Sequence, residues 1–420
     1  MRKLIALTLI QLTFLAACGG GGYVSGGGGG PPPPSQNIAP PGPPNVETIT
    51  VDSGPNGVSA VNTAYVSVQV CAPGSTTLCQ TIDHIEVDTG STGLRILAGA
   101  INGTTLSLSQ LPQETDGTAG TVLTECLPFV DGSSYGSLRL VDITLPVSMK
   151  TASNVVVQVI GDPAYPVPDG SVTGQSACPP PAENTVTAFG ANGILGVGPF
   201  AQDCGSLCAT TGVAGTYYSC TSTTTCADST AGIMQQLQNP ATLFTSDNNG
   251  VIVELPPVGA AGAATVTGSL VFGIGTQSNN ALGSAVVLQE DAFTGEITAT
   301  YKGAAYPRGF IDSGSNGNFF TDSSLTQCTT DMGFYCPASS VSESATLQGT
   351  TGTMLSADFS VANAEVLFSN LSYTAFNNVG GTNPTMQAFD LGLPFFFGRN
   401  MFTAIENASA GGYMGPYFAY

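Results

Sequence analysis

Two acidic turns stand far apart in the chain and repeat one pattern: residues 87–93 read VDTGSTG and residues 311–317 read IDSGSNG. In each, an apolar residue enters an Asp, followed by a small hydroxyl residue, Gly and Ser. Such a turn sets a carboxylate at a strand end, where Gly permits close backbone approach and neighbouring hydroxyls can donate to the carboxylate. One copy, in a chain with 54 glycines, is an ordinary turn. Two copies in matching contexts point to a chemistry that needs two acids. Carboxyl groups held close together push their pKa values apart, so one is ionised and the other neutral. The ionised one can draw a proton from a water while the neutral one donates to a carbonyl, and no histidine is needed. Asp88 and Asp312 are the candidates for such a shared-proton pair.

Competing chemistries fit less well. DSGSNG places Asp312, Asn316 and Gly317 at the first, fifth and sixth places of a calcium-binding EF-hand loop, but the twelfth place, which needs a bidentate Glu, is Ser323; after Asp88 it is Gly99. GSSYG, residues 132–136, matches the G-x-S-x-G nucleophile turn with Ser134 as nucleophile. The chain's one histidine, His84, precedes Ser134, against the order of that hydrolase class. No CxxC pair occurs, so neither a metal nor any other cofactor is expected.

The composition bounds the partners. Among 420 residues, 42% are hydrophobic, enough for sizeable cores, while 8 Lys and Arg face 28 Asp and Glu for a formal charge of −20. That balance excludes nucleic acid, whose phosphates must be met by basic side chains. The N-terminus joins a basic start, Arg2-Lys3, to a mostly apolar run at residues 4–15 that is too short to span a bilayer. Leu15-Ala16-Ala17-Cys18 resembles a bacterial lipobox, which implies cleavage before Cys18 and acylation of its side chain and amine. With no Asp after Cys18, an outer-membrane anchor in a Gram-negative envelope is expected. Setting Cys18 aside leaves ten of the 11 cysteines, an even number suited to five disulfides in an oxidising envelope. Proximity suggests Cys71 with Cys79, Cys328 with Cys336, two small loops among Cys204, Cys208, Cys220 and Cys226, and Cys126 with Cys178.

The elements that must position the acids follow from texture. Residues 1–17 read as the signal segment, and 18–44, rich in Gly and Pro, as the lipidated Cys and a tether. From residue 45 onward, short Val-, Ile-, Thr- and Tyr-rich runs alternate with Gly, Asn, Asp and Pro clusters, which predicts a mainly β protein. Few short helices are expected, the best signal being DSTAGIMQQLQN at residues 228–239, with Asp228 or Ser229 as its cap. Each half runs from an acidic turn to an apolar-Gly step, GILGVG with Gly196 in one and PFFFGRN with Gly398 in the other. Two related lobes follow, at residues 45–275 and 276–420.

Together these residues resemble the pepsin-like aspartic peptidases, over residues 48–420. Asp88-Thr89-Gly90-Ser91 is similar to that family's first catalytic turn and Asp312-Ser313-Gly314-Ser315 to its second. GILGVG resembles the element that completes the first lobe's loop, MQQLQNP falls at a short helix, and PFFFGRNMFTAIENASAGGYMG resembles the C-terminal element. The resemblance implies a two-lobed β fold with a cleft between the lobes, Asp88 and Asp312 as catalytic acids, and Ser91 and Ser315 bonded to their outer oxygens. Thr89 and Ser313 would brace the turns, with Gly90 and Gly314 between. FVDGSSYGS falls at the flap, so that Ser133, Ser134, Tyr135, Gly136 and Ser137 would close over an extended peptide; aligning on Gly132 instead puts Asp131 at the flap's Tyr position. Arg95 stands where a Trp usually supports that Tyr, and no Lys or Arg lies between Lys3 and Arg95 to form a basic prosegment. The expected activity is that of a monomeric aspartic endopeptidase acting on polypeptides. The alternative is a catalytically inactive module of the same fold that binds a protein or glycan at the envelope. The four-cysteine stretch 199–230 reads as an insertion without an assigned role.

Overall fold

The computed structural model describes residues 36, 38–101, 105–118, 120–385 and 387–420. The signal segment, Cys18 and the tether up to residue 35 lie outside the described residues. The chain is mainly β and two-lobed, with sheets of fifteen and seven strands and a two-stranded ribbon among the described residues. Its α-helical turns, Val186–Phe189, Ser206–Thr210, Ala364–Phe368 and Leu393–Phe396, are no longer than five residues. Period-two patterning makes the strands: in Ala64–Cys71 the side chains of Val66, Val68 and Val70 are buried while Ser67 and Gln69 between them stay half-buried.

The same small arrangement recurs in both lobes. In the first, Cys79–Asp88 runs into the acidic turn parallel to Gly193–Val197, with Val87 opposite Leu195 and Asp88 opposite Gly196. The chain then leaves the turn as Thr92–Leu97, antiparallel on the other side of that strand. In the second, Ala304–Ile311 runs parallel to Ala388–Leu391, with Ile311 opposite Leu391, and Asn318–Phe319 returns antiparallel on the far side. The closing Gly of the second lobe is therefore Gly392, not Gly398 as the sequence repeat suggested. A Cβ at Gly392 would sit 2.2 Å from the Gly317 carbonyl oxygen and 2.4 Å from that of Ser315, so only Gly fits. Gly398 instead adopts a φ of +81° and donates its N–H to Leu255 O, outside that loop.

A run of antiparallel strands joins the lobes. Val46–Val51, Val266–Phe272 and Gly250–Leu255 from the first half meet Arg399–Ala404, Tyr417–Ala419 and Val287–Gln289 from the second, with Gly250–Leu255 paired to Arg399–Ala404 at the junction. The end of the expected tether is strapped to this platform. Gln36 donates to Leu255 O and Arg399 O, the Ala39 N–H donates to Glu254 Oε2 at 2.6 Å, and Ser269 donates to Ala39 O.

Among the described residues five disulfides are formed: Cys71–Cys79, Cys126–Cys178, Cys204–Cys208, Cys220–Cys226 and Cys328–Cys336. No helix forms over residues 228–239. Its glutamines bond to backbone instead: Gln236 spans Gly205 and Ala231, and Gln235 accepts from Gly232 N and donates to Thr115 O. These bonds hold the segment in turns, and the nearest helical residues are a 3-10 turn, Pro240–Leu243, capped by Asn239. Among the described residues no helix is long and apolar enough to cross a membrane.

Candidate active site

The two acidic turns meet. Within each, the glycine N–H and the serine hydroxyl hold opposite oxygens of the carboxylate. Gly90 N donates to Asp88 Oδ1 at 2.8 Å and Ser91 Oγ to Asp88 Oδ2 at 2.5 Å. Gly314 N donates to Asp312 Oδ1 at 2.7 Å and Ser315 Oγ lies 3.0 Å from Asp312 Oδ2. Between the turns the second residues interlock reciprocally. Thr89 N donates to Ser313 Oγ at 3.1 Å, and Ser313 N donates to Thr89 Oγ1 at 2.9 Å. Each hydroxyl in turn donates across to the opposite strand, Ser313 to Val87 O and Thr89 to Ile311 O. The N–H groups of Thr89 and Ser313 thus each have a partner from the other lobe, and the lobes are registered at the acids.

The glycines set the distance between the carboxylates. A Cβ at Gly90 would lie 2.6 Å from Asp312 Cγ, and one at Gly314 would lie 2.6 Å from Asp88 Oδ1. Each glycine is packed against the other turn's acid, and any side chain there would push the two apart. Burial, with the neighbouring Asp88 charge and hydrogen bond added, pushes the Asp312 carboxyl up to about 7, so Asp312 favours the neutral form. Two acids in contact, one of them held neutral by its surroundings, can share a single proton.

A cleft of about 440 Å³ opens on Asp88, Gly90 and Ser91. Its far wall is the hairpin of Val122–Pro128 and Ser133–Thr144, whose turn is residues 129–132, closed by Phe129 N donating to Gly132 O. Leu127, Pro128, Phe129 and Val130 of this hairpin face the cleft. The residues expected there sit elsewhere. Ser133 is bonded to Pro179 O, Ser134 is buried, Gly136 presses on the Val159 carbonyl, and Ser137 donates to Asp162. Tyr135 is buried against Tyr218 edge to face, with its hydroxyl on Thr124 and its ring in a cluster with Cys126, Cys178 and Cys220. Pairing of Pro128 with Ser133 starts the return strand at Ser133, so these five residues lie inside the hairpin. His84, the alternative base for Ser134, pairs with Asp52 and Asp83.

Arg95 is fully buried behind the first turn and does what an aromatic residue could not. Its guanidinium donates to Thr92 O at 2.6 Å, to Glu125 Oε1 on the hairpin strand at 2.6 Å, and to Asp203 Oδ2 at 3.2 Å. Tyr217 donates to the other Asp203 oxygen. One cation faces two acids, and burial together with the nearby Glu125 charge pushes Asp203 well above the usual aspartate range. The hairpin is therefore tied to the acidic turn by a buried ion pair. Asp203 and Tyr217 come from the 199–230 insertion, which completes this wall.

One acid at the site carried no motif. Asp390, directly before Leu391-Gly392, is fully buried and places Oδ2 2.6 Å from Ser315 Oγ. By strand register it takes the place that Ile194 holds in the first lobe, since Leu391 answers to Leu195 and Gly392 to Gly196. A Leu-Gly step after an Asp was the only signal for it in the sequence.

The fold and site geometry place the chain among proteins with paired acidic turns between two β lobes. The chain belongs to the DUF3443 family, described as "Protein of unknown function", whose model matches residues 41–420. No curated protein matches it. Among solved structures it is similar to the aspartic proteinase from Irpex lacteus, at 15% identity and a TM-score of 0.46, over 89% of this chain and 96% of that one.

Proposed function

We propose that the protein is an aspartic endopeptidase that hydrolyses peptide bonds with a water activated between Asp88 and Asp312. The observation that carries the reading is the reciprocal packing of Gly90 on Asp312 and Gly314 on Asp88, which brings the two carboxyls into contact. In this mechanism the ionised Asp88 takes a proton from the water as its oxygen attacks the peptide carbonyl. Neutral Asp312 donates to the carbonyl oxygen, giving a tetrahedral diol. Return of a proton to the leaving nitrogen breaks the C–N bond and restores one shared proton on the pair. Ser91 and Ser315 hold the outer oxygens, so the inner ones face the water. An extended peptide fits the cleft beneath Leu127–Val130, where backbone bonds to the hairpin would align it.

The test is cleavage of an unfolded protein substrate by the purified full-length chain between pH 3 and 7, with inhibition by a statine-type transition-state analogue. Asp88→Asn and Asp312→Asn should each abolish cleavage while the near-UV spectrum stays native. Cleavage surviving both changes refutes the assignment. A second reading, a binding module without catalysis, is favoured by one observation: Tyr135 is turned into a buried cluster and is not available over the cleft. Capture of a protein or glycan that persists in both Asn variants, without cleavage at any pH, would decide for it.

We further propose that the protein works as a monomer anchored to the outer membrane through an acylated Cys18. The lipobox-like residues 15–18 support this. Radiolabelled palmitate should label the wild type and not Cys18→Ser, and the label should fractionate with outer membrane.

A further inference from the structure

The Ser315 hydroxyl lies between two carboxyl oxygens, Asp312 Oδ2 at 3.0 Å and Asp390 Oδ2 at 2.6 Å. A serine hydroxyl has one hydrogen to donate and can accept from others. It can satisfy one carboxylate, so the second contact is a hydrogen bond only if that carboxyl itself carries the hydrogen. Which one does follows from the surroundings. Asp312 Oδ1 already has a donor in the Gly314 N–H, and the proton that Asp312 holds is the one it shares with Asp88. Asp390 is fully buried, and its Oδ1 has no hydrogen-bond partner. An anion with a bare oxygen in a dry site is far costlier than a neutral acid there.

We infer that Asp390 is held as a neutral carboxylic acid whose proton bonds to Ser315 Oγ, fixing the Ser315 hydroxyl on Asp312 Oδ2, so that it acts as a positioning residue for the acid pair. Among the described residues, the charged groups that bear on it have its own sign. They are Asp312, at the end of the neighbouring strand Ala304–Ile311, and Asp88 across the lobe junction. The strand on its other side, Asn318–Phe319, brings a neutral amide and a ring, and Leu393–Phe396 brings apolar side chains. Arg308, on the strand leading to Asp312, is engaged by Glu296 and half exposed. Burial, then the Asp312 charge, raises the Asp390 carboxyl well above the aspartate range, in agreement with the hydrogen count.

The direction of the relay has a consequence that rests on the proposed hydrolysis. While Asp390 is neutral, the outer oxygen of Asp312 only accepts, and the proton exchanged in turnover stays on the side facing Asp88. If Asp390 ionises, it captures the Ser315 hydrogen and leaves Asp312 Oδ2 against a lone pair, so the working state is lost on the alkaline side.

Asp390→Asn tests the inference, because its amide can still donate to Ser315 but cannot ionise. An acid protonated in the folded state, with a folded pKa above its unfolded value, gives stability that is full below about pH 4 and lost as pH rises. The ratio of folding constants, variant over wild type, should therefore rise with pH by up to about tenfold per unit between pH 5 and 7. Isotope-edited infrared spectra should show a protonated-carboxyl band at pH 7 in the wild type that Asp390→Asn lacks. A flat ratio together with no lost band overturns the inference, whether or not the protein cleaves peptides. If cleavage is established, Asp390→Asn should retain it and extend its alkaline limb, whereas Asp390→Leu, with no donor, should narrow the profile. Absence of cleavage in the wild type would refute the peptidase reading and leave the two physical readouts standing.

Discussion

Replacing Arg95 with Met should destabilise the protein, and the deficit should depend on pH. Met fills much of the arginine's volume but leaves Glu125, whose side chain is fully buried, and Asp203, whose side chain is nearly so, without their cation. Deleting one partner of a buried pair costs about 3–5 kcal/mol, because the remaining charge stays desolvated. The bond to Thr92 O is lost as well, leaving a buried carbonyl at about 1–3 kcal/mol if nothing replaces it. The protein can relieve the larger part by taking up a proton. Asp203 is already pushed upward by burial and by Glu125, and removing Arg95 withdraws the main influence that lowers it. An acid whose folded pKa lies above its unfolded value stabilises below the unfolded value and loses that stabilisation as pH rises. The variant's deficit should therefore be largest near pH 7, about 3–5 kcal/mol, and shrink by up to about 1.4 kcal/mol per pH unit on acidification.

Urea unfolding with the disulfides intact, at pH 4 and pH 7, measures both numbers. Adding Glu125→Gln to Arg95→Met should recover part of the pH 7 loss, because the stranded charge is gone. A deficit below about 1 kcal/mol at pH 7, the range of an exposed pair, would refute the reasoning. So would an equal deficit at the two pH values. Either result would mean that Arg95 is not the dry clamp between the first acidic turn and the hairpin.

Other outcomes follow from the same geometry. Gly90→Ala puts a methyl 2.6 Å from Asp312 Cγ; if the pair is catalytic, cleavage of an unfolded substrate should fall at least about a hundredfold, as for an ångström-scale misplacement, with the fold intact by circular dichroism. Ser313→Ala removes the acceptor for Thr89 N and the bond to Val87 O, and should cost about 1–3 kcal/mol in urea unfolding. Glu254, which holds the Ala39 N–H, is pushed up to about 7 by burial against that hydrogen bond. Its stabilising contribution is full below its unfolded value of about 4.3 and lost as pH rises through about 7, so Glu254→Gln should gain on the wild type in urea midpoint between pH 5 and 8.

What the sequence disclosed was local chemistry. The bonds from Gly and Ser to the Asp of each acidic turn lie within four residues, and four close-spaced cysteine pairs leave Cys126 and Cys178 as the remainder, so both were legible without a fold. Register was not. Residues 131–137, DGSSYGS, have the composition of a turn, yet Pro128 pairs with Ser133 and the turn is over before Tyr135. What draws Tyr135 inward is Tyr218, on the insertion that had no assigned role, and such a partner cannot be found by spacing. Residues 228–239 failed as a helix for a related reason: their glutamines reach backbone groups in another loop, which outweighs a weak local propensity. Glu125 and Asp203 were invisible for want of any motif linking them to Arg95.

The second lobe's closing step was hidden by the one substitution that gives the site its asymmetry. Where the first lobe has Ile194-Leu195-Gly196, the second has Asp390-Leu391-Gly392, and a carboxyl where an apolar residue belongs made PFFFG look like the better match. In the structure Leu195 and Leu391 both enter the common core, and both glycines admit close backbone, so the repeat is kept in packing. It is broken only at the first position, where Ile194 joins an apolar cluster and Asp390 turns to Ser315. Serines at equivalent places thereby acquire unlike surroundings: Ser91 is half-buried at the cleft, and Ser315 is enclosed between two acids. A symmetric pair of carboxyls would have no reason to prefer one as base and the other as acid. Under the proposed hydrolysis the unlike burial of the two halves supplies the reason, with Asp88 toward the wet cleft as the base and the fully buried Asp312, whose carboxyl is raised by that burial, as the acid.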